Sequence, residues 1–175
     1  MEKDYDKLIK TVDENGNYTG WVKKLEAHQK DIPHKAFSIF IHDGKGNMLI
    51  QKRAAHKYHS PSVWTNACCS HSSLENVELI DEAKLRLKEE MGFTVPIKKL
   101  FDFKYHEMVG DLIENEHDTV YLGVYDKQVT VNPEEASECK YMPFDEILSD
   151  VRENPDSYSV WFKLVIDRVI GMIER

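Results

Sequence analysis

Cys68 and Cys69 stand side by side, and His71 follows two residues after Cys69. They close the run Trp64-Thr65-Asn66-Ala67-Cys68-Cys69-Ser70-His71. A thiol beside an imidazole can be a nucleophile with its base, a pair of metal ligands, or two unrelated side chains. On extended backbone Cys69 and His71 face the same way. The run is small and polar and lacks a hydrophobic repeat, so it reads as a loop or strand end.

A second stretch, Glu114-Asn115-Glu116, lies in the acidic segment Asp111 to His117. On extended backbone both carboxylates can face one site. Exposed charge is the norm, and a solvated acidic loop is the simpler reading. The sharper reading is a cation site, because carboxylate oxygens with imidazoles suit Mn²⁺, Zn²⁺ or Mg²⁺. His28, His34 and His71 flank the strands expected near the cysteines. With Glu114 and Glu116 they would fill five positions of an octahedral site, if the fold converges them. Cys69, as the thiol beside His71, is a further candidate ligand.

Arg86 and Glu90 are four apart in Glu82 to Phe93 and share a helix face. Lys24, Arg53, Lys57 and Arg86 lie close in sequence to these motifs. They are either scattered solubility charges or a clamp for phosphate oxygens, to which arginine offers bidentate hydrogen bonds.

The elements that must position these groups follow from periodicity and turn chemistry. Leu8 to Val12 and Tyr18 to Leu25 read as strands around the turn Asp13-Glu14-Asn15-Gly16-Asn17. His28 to His34 reads as a polar connector, with Pro33 blocking a helix. Ala36 to His42 reads as a buried strand, and Met48 to Arg53 pairs back after Asp43-Gly44-Lys45-Gly46-Asn47. Lys57 to Val63 is irregular. Val77 to Met91 is the clearest helix, with Ile80, Ala83, Leu87 and Met91 as its apolar stripe and Gly92 as its C-cap. Leu100 to Met108 and Thr119 to Asp126 read as strands joined by the acidic loop. Cys139 to Met142 is a short strand, and Phe144 to Val151 a short helix after Pro143. Tyr158 to Ile173 is a C-terminal helix, with Trp161, Leu164, Val165, Arg168, Val169 and Met172 at helical spacing. Strands arrive in hairpins and outnumber helices, so the expected fold class is α+β: one domain over 1–175, a mixed and largely antiparallel sheet with flanking helices.

Composition narrows the function classes. The chain has 175 residues, enough for one domain with a core. A formal net charge of -8 disfavours general nucleic-acid or anionic-membrane binding, but not a small anion in a local basic pocket. Three cysteines, two of them adjacent, make no disulfide framework and fit a reducing cytoplasm. No apolar run reaches transmembrane length, and the N-terminus has no signal-peptide core.

Glu89-Glu90-Met91-Gly92-Phe93 resembles the end of a Nudix box, in which a helix presents glutamates to magnesium and a diphosphate. Only that tail matches. The box's Arg-Glu pair is Leu85-Arg86 here, its upstream glutamate is Val77 and its opening glycine is His71. Diphosphate hydrolysis is therefore poorly supported. The whole set of motifs resembles type I isopentenyl-diphosphate Δ-isomerase, a Nudix-fold family. The resemblance rests on His34-Lys35-Ala36-Phe37-Ser38, Gln51-Lys52-Arg53-Ala54, the Trp64 to His71 run, the Glu-Glu-Met-Gly helix end, Glu114-Asn115-Glu116 and Tyr158-Ser159-Val160-Trp161. It departs from the usual pattern at Ser72, where the family has proline, at Pro61-Ser62, where it often has Pro-Gly, and across Ser72 to Asp81.

The resemblance implies the following assignments. Cys69 is the catalytic thiol and Glu116 the catalytic acid, with Tyr105 as its hydrogen-bonding neighbour. His28, His34, His71, Glu114 and Glu116 hold Mn²⁺ or Zn²⁺. Glu90 ligates a Mg²⁺ that bridges to the diphosphate. Lys24, Arg53, Lys57 and Arg86 bind that diphosphate, and Trp161 faces the reacting carbons. The implied substrate is isopentenyl diphosphate, with no nucleic-acid or membrane partner and a monomer or weak homodimer. Two other classes stay open: a Nudix hydrolase of nucleoside or prenyl diphosphates, and a non-enzymatic metal or ligand-binding module.

Overall fold

The hub of the computed structural model, which describes residues 4–173, is the strand β3 (His34–His42). Before it, β1 (Leu8–Val12) and β2 (Tyr18–Lys23) form an antiparallel hairpin. Asp13 holds its turn by accepting the backbone N–H groups of Asn15 and Asn17 at 2.8 and 2.9 Å. The second strand ends at Lys23, two residues earlier than expected, and α1 (Lys24–Gln29) follows. Leu25 to Gln29 are good helix formers, and over so short a run apolar spacing does not separate a strand end from a first helical turn. His28 is therefore a buried residue of a helix, not part of a connector.

After β3 come β4 (Asn47–Arg53), β5 (Trp64–Thr65), β6 (Cys68–His71) and α2 (Leu79–Met91). The chain continues through β7 (Ile97–Val109), β8 (Leu112–Val124), β9 (Ala136–Pro143), α3 (Phe144–Glu153) and α4 (Val160–Ile173). The acidic segment expected as a loop is strand. β7 and β8 pair antiparallel from Val109↔Leu112 to Ile97↔Gly123, and only Gly110 and Asp111 turn between them. Charge disguises this strand, because its inward-facing residues are Glu114, Glu116 and Asp118.

One edge of β3 pairs in parallel with β8 over its whole length, from His34↔Glu116 to His42↔Val124. Its other edge is shared by three strands in succession: β1 at His34, β6 from Ala36 to Ile39, and β4 at Ile41 and His42. The sheet thus splits along β3, and a cavity forms beside the split. Helices cover both faces, which is why β3 is apolar nearly throughout. Phe37, Ile39 and Ile41 pack with Leu87 and Met91 of α2. Phe40, Met48 and Ile50 pack with Phe162, Val165 and Val169 of α4. The result is an α+β domain with a mixed sheet between helices.

Two helix faces differ from the apolar stripes in the sequence. The buried face of α4 is Trp161, Phe162, Val165, Ile166, Val169 and Ile170. Leu164 and Met172 are 51% and 40% exposed. This helix is apolar on most sides, so several stripes satisfy its period and only the facing sheet selects one. In α2 the buried face includes Glu82 and Glu90 beside Ala83, Leu87 and Met91. Gly92 caps this helix in the left-handed conformation at φ 76°. Among the described residues no helix is long and apolar enough to cross a membrane.

Candidate active site

Strand register builds the site. Side chains directly opposite in neighbouring strands project to the same face. His34 stands opposite Glu116, Ala36 opposite both His71 and Asp118, and Ser38 opposite Cys69. Alternation on β3, β6 and β8 therefore puts His34, His71, Cys69, Glu114, Glu116 and Asp118 on one face. Ala36, the small residue among them, leaves the space.

His28, His34, His71, Glu114 and Glu116 converge, with one ligand atom from each lying within 4.8 Å of the others. His28 Nδ1 donates to the Lys24 carbonyl at 2.6 Å, and His34 Nδ1 to the Ile32 carbonyl at 2.7 Å. A carbonyl only accepts, so each Nδ1 carries a proton and each ring turns its Nε2 inward. Both Nε2 atoms and both Glu114 oxygens are buried without a hydrogen-bond partner. His28 Nε2 lies 3.2 Å from Glu114 Oε1. Lone pairs opposed at that distance repel, and a divalent cation between them converts them into ligands. The cluster fits a metal ion of the kind that accepts nitrogen and oxygen donors.

The charges inside the cluster are strongly perturbed. Burial drives the His71 pKa well down, against the opposing pull of Glu116. Burial also raises the Glu114 pKa, but its contacts with Glu116, His28 and His59 outweigh that, and the carboxyl lies well below its usual range. Glu116 is held on both oxygens: Oε1 is 2.9 Å from His71 Nε2, and Oε2 accepts the Tyr105 hydroxyl at 2.9 Å. Burial, then the Glu116 charge, pushes the Tyr105 pKa well up, so the hydroxyl keeps its proton.

Cys69 lies outside the metal-ligand group. Its Sγ faces Arg53 Nη1 at 3.7 Å. Burial pushes the thiol pKa up to about 12, with the Arg53 guanidinium pulling back. Cys68 is fully buried and points to the other side, into the core under α2. Trp161 is buried at the end of α4, lines the same cavity as Cys69 and Glu116, and donates its Nε1–H to Asn66 Oδ1 at 3.1 Å.

Lys24, Arg53, Lys57 and Arg86 all line this cavity. Lys24 Nζ binds Asp4 at 2.7 Å, and Lys57 Nζ binds Glu135 at 2.5 Å. Arg86 Nη2 reaches Glu90 at 2.8 Å and Glu135 at 3.4 Å. Glu90 also accepts Gln51 Nε2 at 2.9 Å. Both Glu90 oxygens are thus engaged by protein donors, Arg86 on one and Gln51 on the other.

Five titratable lining residues escaped the sequence reading: Asp4, Lys7, His59, Asp118 and Glu135. Asp118 had a usable signal, since it continues the two-residue alternation of Glu114 and Glu116. Asp4, His59 and Glu135 sit in irregular or loop-flanked segments with no periodicity to mark them.

Residues 32–162 match the family model described as NUDIX domain. Isopentenyl-diphosphate Delta-isomerase 2 of Photorhabdus laumondii is 44% identical over 163 residues, covering 93% of this chain and 92% of that protein. Isopentenyl-diphosphate Delta-isomerase of Serratia proteamaculans is 39% identical over 170 residues, covering 97% and 94%. Among solved structures, DR0079 from Deinococcus radiodurans superposes with a TM-score of 0.77 at 14% identity, covering 93% of this chain and 98% of that one. The MutT protein from Methanosarcina mazei gives 0.64 at 14% identity, covering 82% and 96%. At such identity these two likenesses speak for the fold alone.

Proposed function

The chain belongs to the isopentenyl-diphosphate Δ-isomerases of the NUDIX family, and we propose that it converts isopentenyl diphosphate to dimethylallyl diphosphate with the residues that share the cavity beside β3. The observation that carries this reading is the placement of Cys69 and of the Glu116–Tyr105 pair around one cavity that is also lined by five lysines and arginines, Lys7 among them. The reaction moves a double bond by one carbon. An unactivated alkene must gain a proton at its terminal carbon and lose one two carbons away, through a species resembling a tertiary carbocation.

The Glu116–Tyr105 pair supplies the proton to the terminal carbon. Cys69, its thiol proton first given up to solvent beside the Arg53 guanidinium, takes the proton from the carbon beside the diphosphate-bearing one. One proton is gained and one lost, so substrate and product are isomers. The enzyme is left with its proton on sulfur, and exchange with solvent restores the starting state. The high thiol pKa makes the sulfur a strong base once ionised. Trp161 offers its π-face to the cationic carbon, worth about 2 kcal/mol when desolvated, and closes the cavity against water that would trap the cation as an alcohol.

Lys24, Arg53, Lys57 and Arg86 hold the diphosphate, so that remote binding energy positions the alkene. Mn²⁺ or Zn²⁺ in the histidine and glutamate cluster would orient Glu116 and place positive charge beside it. Mg²⁺ at Glu90 would neutralise the diphosphate charge.

The test is direct. The protein supplied with Mg²⁺ and with Mn²⁺ or Zn²⁺ is mixed with isopentenyl diphosphate and followed by NMR. Dimethylallyl diphosphate is the expected product. Phosphate release from a panel of diphosphates, without an alkene shift, would overturn the reading in favour of hydrolysis.

A further inference from the structure

His59 lies in the irregular segment between β4 and β5, is 8% exposed, and lines the cavity. Its Nε2 contacts Glu114 Oε1 yet has no hydrogen-bond partner of normal geometry. Its ring stacks on Trp161, with centroids 5.8 Å apart and planes 17° from parallel. The backbone at and just after this ring is pinned. Arg53 donates Nη2–H to the His59 carbonyl and Nε–H to the Ser60 carbonyl, both at 3.0 Å. His59 is not one of the five converging residues; it touches the cluster at Glu114 and packs its ring against that of His28, with centroids 5.5 Å apart.

We propose that His59 is a positioning residue that fixes Glu114 for metal binding and Trp161 against the cavity, so that cation occupancy and the aromatic wall are coupled. This rests on reading the five-residue cluster as a metal site. Glu114 is fully buried, and His28 and His59 both face the same one of its oxygens. An imidazole N–H from His59 against that oxygen would hold the carboxylate plane and leave the second oxygen to a metal. The same rigid ring is one wall of the slot that holds the indole. A shift of Glu114 when the cation enters therefore moves the ring against Trp161.

The experiment uses the full chain, stripped of metal with a chelator and titrated with Zn²⁺ against a competing dye. His59→Phe keeps an aromatic ring on Trp161 but removes the donor. His59→Gln keeps an N–H donor but removes the ring. His59→Ala removes both. Zn²⁺ affinity is expected to fall about 10- to 100-fold in H59F and H59A and to stay near wild type in H59Q. In a Trp21→Phe, Trp64→Phe background, Trp161 emission should respond to Zn²⁺ in the parent and lose that response in H59A. If H59A does not fold, the contrast between H59F and H59Q decides. Wild-type affinity in H59F, or an unchanged emission response in H59A, overturns the proposal alone. A wild-type chain that binds no Zn²⁺ overturns the metal reading and this inference with it.

Discussion

His34 on β3 and Glu116 on β8 stand opposite one another in a parallel ladder, and His34 Nε2 lies 3.6 Å from Glu116 Oε1. This pair joins the metal cluster to the proposed acid. Glu116 belongs to both, because Tyr105 holds its other oxygen. Tyr105→Phe should therefore lower kcat by about 100-fold with little change in metal affinity, whereas Glu116→Gln should remove turnover and weaken metal binding together. Steady-state kinetics and a Zn²⁺ titration on the same preparations separate the two effects.

The adjacent cysteines should behave oppositely. Cys69→Ala is expected to cost at least about 1,000-fold in kcat while leaving the thermal midpoint nearly unchanged. Cys68 packs in the core, so Cys68→Ala should keep turnover and lose about 1 kcal/mol of stability for the missing sulfur. Equal activity of the two variants would refute the assignment of the proton transfer to Cys69.

Chelation should destabilise the protein. A cation bound only by the folded chain stabilises it by about 2.7 kcal/mol at a hundred times its dissociation constant. Adding EDTA should lower the melting temperature, and Zn²⁺ or Mn²⁺ should restore it. In Glu114→Gln the added metal should recover much less, because a buried ligand is gone.

The cations around the diphosphate should act on binding. Lys57 is tied to Glu135 in the structure, so substrate competes with a carboxylate for it. Lys57→Gln should raise KM by about 10-fold with a smaller change in kcat, as expected for an interaction made equally in ground and transition states. Loss in kcat alone would count against the role.

Stability should hinge on Glu82, a residue with no part in the chemistry. It is 1% exposed and its carboxylate gathers the loop ahead of α2. Its oxygens accept the Ser72 hydroxyl at 2.9 Å, the Ser73 N–H at 2.6 Å, the Ser73 hydroxyl at 3.1 Å and the Leu74 N–H at 3.1 Å. Glu82→Ala leaves the buried Ser72 hydroxyl and the part-buried Ser73 and Leu74 donors without their acceptor and should cost about 2 kcal/mol in urea unfolding.

The sequence by itself determined whatever rests on neighbours a few residues apart. The hairpin turn at Asp13 and the Gly92 cap follow from local turn chemistry, and the shared facing of Cys69 and His71 from the two-residue period of extended backbone. The family motifs are short for the same reason. The tertiary structure alone decided which distant segments meet. It put β6 and β8 on opposite edges of β3, turned an acidic segment into a buried strand, and chose one of several apolar stripes on α4. It also brought His59 and Glu135 from irregular segments to the cavity. Such contacts depend on sheet register and on which faces are covered, and these are set by burial of the whole chain rather than by spacing along it.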